Sequence, residues 1–190
     1  GTTAQEVEQA ARLCLEAGAG DCDPARGADS QPAHSLHIDA FWIEAQEVTT
    51  AQYAAFLNTL GARAHLDGCD GQPCVLTSLE RDDAAIHFDG TQYRVRDVML
   101  ADLPVTSVSW YGAAAYCAAL DRRLPTEAEW EFAARGTLNS LYPWGDTWDD
   151  ETANVLSDGP AAVGVHPGDT SAQGVRDLAG NVAEWVADWY

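Results

Sequence analysis

The sequence predicts a mixed α+β domain with little regular secondary structure. Three observations predict it. Two helices announce themselves by capping boxes, Thr49 with Gln52 and Thr126 with Glu129, each ahead of an apolar face. Asp89-Gly90 sits between two short β-prone runs, as in a tight hairpin. Residues 136–177 then run without apolar periodicity, rich in Gly, Pro, Asp and Thr. That is longer than the roughly 12–15 residues of an ordinary connector, so something other than backbone ladders has to hold it.

The elements follow in order. Val7, Ala10, Ala11, Cys14 and Leu15 recur at three- and four-residue intervals, which predicts a helix over 4–17 that stops at Gly18 and Gly20. Residues 21–35 read as a polar loop. His37 to Ile43 alternates polar and apolar residues and reads as a strand. The next helix is expected near 50–60, with Tyr53, Phe56, Leu57 and Leu60 on its apolar face. Residues 61–84 form a loop, and 85–88 with 92–95 form the hairpin. Pro104 to Trp110 reads as extended. A helix near 110–120 follows and is expected to bury Ala113, Tyr116, Cys117 and Leu120. The last helix spans about 126–135 and ends at Gly136, a residue suited to a left-handed helix stop.

Composition narrows the function. The 46% hydrophobic fraction and seven tryptophans exclude a disordered chain. No apolar run approaches the roughly 18 residues of a membrane span. The first residues show no signal-peptide layout and no initiator Met, so the chain reads as processed or as a fragment. Thirty acidic residues against ten basic ones give a net charge of -20. Every basic residue is arginine. Such a surface repels phosphate backbones and anionic lipids, which argues against nucleic acid and membrane-surface partners. It favours cations, calcium among them.

Five cysteines include two close pairs, Cys14 with Cys22 and Cys69 with Cys74, and Cys117 alone in an apolar helical stretch. The pattern suggests two small-loop disulfides and one buried thiol, in an oxidising compartment: extracellular, periplasmic or at the cell surface. The spacings are not those of paired zinc knuckles. His34, His37, His65, His87 and His166 are scattered, none at metal-ligand spacing, and no Gly-x-Ser-x-Gly or phosphate loop occurs.

The most specific stretch is Arg123-Leu124-Pro125-Thr126-Glu127-Ala128-Glu129-Trp130-Glu131. Tyr142-Pro143-Trp144-Gly145 and Gly180-Asn181-Val182-Ala183-Glu184-Trp185 follow it, and Glu47-Val48-Thr49 and Val108-Ser109-Trp110 precede it. In this order the pieces resemble the formylglycine-generating enzyme, or sulfatase-modifying factor, family. The resemblance covers residues 32–190 and leaves 1–31 as an N-terminal helix and loop extension. It implies an irregular C-type-lectin-like fold holding structural Ca2+. One calcium site would take side chains of Asp177 and Glu184 with carbonyls of Gly180 and Val182. A second would begin with Asn154 and the carbonyl of Val155, with Asp158 or Asp169 as its carboxylate. Solvated acids, helix caps or an Asx turn are the structural alternatives for these residues. Trp110 and Trp130 are expected in the core with their indole N–H groups on loop carbonyls. Arg123 and Arg135 are expected to pin Glu127 or Glu131.

The family's catalytic cysteines, four residues apart, bind copper(I) and lie downstream of the Gly-Asn-x-x-Glu-Trp piece. Cys69 and Cys74 have that spacing but lie upstream of the Arg-Leu-Pro-Thr-Glu run, so no catalytic role transfers to them. The expectation is a calcium-stabilised binding or structural module, non-catalytic as it stands, in a larger secreted or surface protein. It would be completed by a protein partner or by a remaining C-terminal chain segment. The alternative is the N-terminal part of an oxygen- and copper-dependent oxidase acting on Cys-x-Pro-x-Arg motifs, with copper only if a further segment carries the cysteine pair.

Overall fold

A computed structural model of the 190-residue chain describes residues 1–16, 22–28, 30–149, 151–155 and 157–189. The contacts divide the chain into two compact units, 1–39 and 40–190.

The first unit holds helix α1 (Ala4–Glu16) and a 3-10 turn at Pro24–Gly27. Thr3 and Glu6 cap α1 reciprocally: the Thr3 N–H donates to Glu6 Oε2 at 2.6 Å and the Glu6 N–H to Thr3 Oγ1 at 3.2 Å. Gly27 lies under Val7, where a Cβ would stand 2.8 Å from the side chain. Cys14 and Cys22 are disulfide-bonded. The expected stop at Gly18 and Gly20 lies outside the described residues.

The second unit is built on helix α2 (Thr50–Leu60), the one-turn helix α3 (Ala64–Asp67), strands β1 (Ile86–Phe88) and β2 (Tyr93–Val95), and helices α4 (Trp110–Ala119) and α5 (Glu127–Arg135). Both expected capping boxes are present, Thr49 with Gln52 and Thr126 with Glu129. The hairpin pairs Ile86 with Val95 and Phe88 with Tyr93 around Asp89-Gly90. Asn58 on α2 completes the sheet from the side. Its Oδ1 accepts from the Tyr93 N–H at 2.8 Å and its Nδ2 donates to the Tyr93 carbonyl at 3.0 Å. One side-chain amide thus replaces a neighbouring strand.

Among the described residues two apolar clusters form the core. The larger packs Tyr53, Phe56 and Leu57 of α2 against Ile86, Phe88, Tyr93, Tyr116 and the buried Cys69–Cys74 disulfide. The smaller joins Ala133 and Ala134 of α5 to Val175 and Leu178, with Ile43 and Trp130 against it. Between α4 and the disulfide loop the approach is so close that a Cβ on Gly112 would lie 2.0 Å from the Cys74 carbonyl oxygen.

Four expectations need correction. Residues 37–43 pair with no strand among the described residues, because no neighbouring chain presents a ladder there. The 61–84 loop contains α3, organised by His65: its backbone N–H donates to Tyr93 Oη at 3.0 Å, and its Nδ1 lies 2.8 Å from the same oxygen. Leu120 is 46% exposed, because α4 ends at Ala119 beside an open groove. Arg123 pins Glu129 rather than Glu127, with bonds of 2.6 and 2.7 Å, since Glu129 at the third helical position already turns back towards the cap.

Candidate functional site

The irregular segment from Gly136 onwards is held by side chains. Arg135 anchors its start, donating from Nε to the Ser140 carbonyl at 2.8 Å and from Nη1 to Glu131 Oε1 at 2.9 Å. Tyr142 and Trp144 stack with ring centroids 5.4 Å apart, and Trp148 packs on both. Asn181 closes the far side. Its backbone is left-handed, with φ 62°. Its Oδ1 accepts from Asn154 Nδ2 at 2.9 Å and from the Ala161 N–H at 2.8 Å, and its Nδ2 donates to Glu47 Oε2 at 2.6 Å.

The C-terminal stretch then crosses the starts of α4 and α5. Trp110 Nε1 donates to the Val186 carbonyl at 2.8 Å, the loop bond expected of it, while its side chain is half-buried and outside both apolar clusters. Trp185 Nε1 donates to the Val108 carbonyl at 3.0 Å, and the Ala187 N–H to the Pro125 carbonyl at 2.8 Å. Asp188 Oδ2 accepts the Glu127 N–H at 2.7 Å, a carboxylate placed on the first turn of α5. Trp130 departs from the expected pattern, because its indole N–H reaches the carboxylate of Glu184 and not a carbonyl.

These ties draw four carboxylates towards one region: Glu47, Asp169, Asp177 and Glu184. Asp177 is 3% exposed, left-handed at φ 61°, and accepts the Gly164 N–H on Oδ2 at 2.6 Å. Asp169 is 1% exposed, and its Oδ2 accepts the Ala179 N–H at 3.2 Å. Burial pushes the Asp169 carboxyl up, with the charge of Asp177 adding to it. Burial pushes Glu47 up to about 7; the Asn181 bond opposes this, while the charges of Glu184 and Asp177 reinforce it. Crowding by surrounding protein, then the charges of Asp177 and Asp169, raise Glu184 as well. Its surface stays open to the groove, so the desolvation is less than that crowding implies. Two buried oxygens, Glu47 Oε1 and Asp169 Oδ1, have no hydrogen-bond partner among the described residues.

Of the residues expected at the first calcium site, Asp177 and Glu184 are thus near enough to repel each other. Gly180 packs so tightly that a Cβ would lie 2.7 Å from the Asn154 carbonyl oxygen, and Val182 lines the groove. Asn154 is engaged within the protein. Its carbonyl accepts the Asn181 N–H at 3.0 Å, and its Oδ1 accepts from Ser157 Oγ. Val155 is exposed, as is Asp158, whereas Asp169 lies with Asp177 and Ala179. Among the described residues no three His, Cys, Asp or Glu side chains are arranged to hold a metal ion. Two carboxylates with two carbonyls make a different donor set. The expectation for this region left out Glu47 and Asn181, although both stand inside the motifs Glu47-Val48-Thr49 and Gly180-Asn181.

Beside the carboxylates opens an apolar cavity of about 460 Å3, lined by 40–44, Val105, Tyr116, Cys117, Leu120, Leu124, Trp130 and Trp185 among others. Cys117 is the free cysteine, half-buried on α4, and burial followed by the nearby Glu44 pushes its thiol up.

The family model of the sulfatase-modifying factor enzyme 1-like domain matches residues 2–190. The chain belongs to the sulfatase-modifying factor family. The mixed helical and small-sheet architecture is that of this domain type. Formylglycine-generating enzyme from Bos taurus is 31% identical over 208 residues, covering 90% of this chain and 55% of the relative. The protein of that name from Streptomyces coelicolor is 32% identical over 203 residues, covering 90% and 64%. Serine/threonine-protein kinase Pkn1 of Chlamydia trachomatis is 33% identical over 169 residues, covering 85% of this chain and 25% of the relative. Inactive C-alpha-formylglycine-generating enzyme 2 from Mus musculus is 43% identical over 103 residues, covering 47% and 33%. The chain therefore spans a quarter to just under two thirds of these relatives.

Proposed function

We propose that this sulfatase-modifying factor domain is a calcium-stabilised binding or structural module of a larger secreted or surface protein, and that it is not itself a formylglycine generator. The observation that carries the reading is the state of its five cysteines. Four are tied in two disulfides, and the fifth is a half-buried thiol whose burial disfavours the thiolate. Copper(I) chemistry at cysteine needs two converging thiolates. The only pair at the family's four-residue spacing is a disulfide with both cysteines in the core. Incubation of the chain with Cu(I), oxygen and a Cys-x-Pro-x-Arg peptide is expected to leave the peptide thiol intact by mass spectrometry. Turnover would overturn the reading.

Calcium fits the donor set. Asp177 and Glu184 offer hard carboxylate oxygens, and Gly180 and Val182 stand in a loop whose carbonyls a helix would otherwise occupy. The two partnerless buried oxygens nearby, Glu47 Oε1 and Asp169 Oδ1, belong to a region of like charge that a cation would relieve. A bound ion would supply charge compensation and cross-linking of the 177–184 loop. Chelation by EGTA is expected to lower the melting temperature by mass action, and Glu184→Ala to abolish that sensitivity. An unchanged melting temperature on chelation would count against the site.

The two disulfides suit an oxidising compartment, which points to an extracellular, periplasmic or cell-surface location. No helix among the described residues is long and apolar enough to cross a membrane. The second reading is the N-terminal part of a copper- and oxygen-dependent oxidase, favoured by the 90% coverage of this chain in relatives named formylglycine-generating enzyme. Mass determination of the natural polypeptide, with its sequence past Tyr190, separates the two.

A further inference from the structure

The two disulfides stand in different surroundings. Cys69 and Cys74 are 1% and 0% exposed, inside the larger apolar cluster with Tyr53, Ile86, Phe88 and Tyr116. The loop they close is itself at the surface: Asp70 to Pro73 are exposed, and Asp70 and Gly71 turn through left-handed backbone at φ 56° and 72°. The sulfurs therefore lie beneath a visible turn. Three elements hold them there. The Cys74 N–H donates to the His65 carbonyl of α3 at 2.9 Å. The Cys74 carbonyl accepts the Ser109 N–H, at the start of α4, at 3.0 Å and the Tyr53 hydroxyl of α2 at 3.3 Å. Gly112 leaves no room for a side chain beside that same carbonyl. Exposing either sulfur means parting α2, α3 and α4 together, so fraying of the turn alone is not enough.

Cys14 and Cys22 are half-buried, and the helix that carries Cys14 buries no residue. Helix α1 has 13 residues, a length at which a helix is marginal in water without support. Its supports are the Thr3–Glu6 cap at the start, the contact of Val7 with Gly27, and the bond from Cys14 to Cys22 at the end.

We propose that the two bonds form an ordered redox device: a dithiol opens Cys14–Cys22 on the folded domain and frees the last turn of α1, but reaches Cys69–Cys74 only when the core of α2, the hairpin and α4 opens as a whole. In each exchange a thiolate of the reductant attacks one cysteine sulfur, the S–S bond breaks, and the other cysteine leaves as a thiolate. The second thiol of the reductant then displaces the first cysteine. The protein takes up two electrons and two protons and holds two thiols, and the reductant leaves as a cyclic disulfide. Access of the attacking thiolate governs the rate, and the fold distributes access unequally. The oxidation state of the core bond is thus set when the domain folds and kept while it stays folded, whereas the clip on α1 follows its surroundings.

The test uses the 190-residue chain and dithiothreitol, with samples alkylated at intervals and each cysteine read by peptide mapping. Cys14 and Cys22 are expected to open at a rate proportional to the dithiothreitol concentration. Amides in the last turn of α1 should then exchange faster, with those of α2 and the hairpin unchanged. Cys69 and Cys74 should lag by roughly a hundredfold or more, speed up in sub-denaturing urea in step with global unfolding, and lose the lag once urea unfolds the chain. Tyr53→Phe removes one bond to the Cys74 carbonyl. It should hasten opening of the core bond by the factor by which it shifts the unfolding equilibrium, and leave the clip on α1 unchanged. Reduction of the two bonds within about tenfold of each other in the folded chain would overturn the proposal. So would a Cys69–Cys74 rate indifferent to urea below the transition, which means local access. Loss of protection in α2 and the hairpin when Cys14–Cys22 alone is opened would overturn it as well.

Discussion

Replacing Glu47 by glutamine should stabilise the calcium-free domain at alkaline pH and leave it nearly unchanged at acid pH. An unfolded glutamate ionises near its ordinary value of 4.5, but in the folded domain Glu47 is pushed up to about 7 by burial and by Glu184 and Asp177. Between those two values the folded state holds a proton that the unfolded state has released. Stability attributable to this group therefore falls as pH rises through the window, and the loss is complete above about 7. Raising the carboxyl from 4.5 to about 7 corresponds to ~3 kcal/mol. The glutamine amide keeps what the carboxylate does: its oxygen takes the place of Oε2 beneath Asn181, and its NH2 falls where Oε1 has no partner. The assay is urea unfolding in EGTA at pH 5, 6, 7 and 8 for both proteins. The variant should gain ~2–3 kcal/mol relative to the parent between pH 5 and 8. A difference that stays within about 0.5 kcal/mol across that range, the scatter of ordinary surface substitutions, would refute the argument from the carboxylate cluster.

Three further outcomes are expected. Glu129→Gln should cost ~2 kcal/mol at pH 7, because Arg123 and the Thr126 cap hold the Glu129 carboxyl down to about 2; the full displacement is discounted since the Arg123 side chain is 62% exposed. This stability is present above the unfolded value and lost as pH falls through the folded value of about 2, so the deficit measured by urea unfolding should shrink from pH 4.5 downwards and vanish only below pH 2. Joint replacement of Cys69 and Cys74 by serine should cost at least about 2–3 kcal/mol from the released loop alone, read as a lowered urea midpoint, and non-reducing peptide maps of the parent should show the pair linked. Asn181→Ala should cost about 2–4 kcal/mol, since it strips four hydrogen bonds and asks alanine to hold φ 62°; Asn181→Gly should recover only the backbone part, and equal stability of the two variants would remove the bonds from the account.

Local chemistry made the helices legible. Thr49 with Gln52 and Thr126 with Glu129 fix helix starts through atoms three residues apart, so the sequence contains the whole interaction. Asp89-Gly90 did the same for the hairpin. The disulfides were legible because two close cysteine pairs at spacings unlike those of zinc knuckles leave small-loop bridges as the simplest use. Leu120 was misjudged because helical periodicity reports which face is apolar, not whether anything covers it. The 37–43 segment shows the same limit for strands: alternation marks a chain suited to a ladder, while the ladder itself requires a neighbour.

The site was half legible for a related reason. Asp177 and Glu184 lie within one short stretch of the sequence, so proximity along the chain brought them together. Glu47 lies 134 residues from Asn181 and meets it only through the folded chain. That distant contact links the start of α2 to the irregular segment, which has few ladders of its own. Asn181 is well chosen for the task. An asparagine tolerates the left-handed backbone that the turn demands, and its amide donates and accepts at once. An aspartate could not donate to Glu47, and a glycine could bond to nothing through a side chain. The residue that makes the loop's backbone possible is therefore also the one that ties the loop to the helical core, and the acidic cluster lies beside that knot.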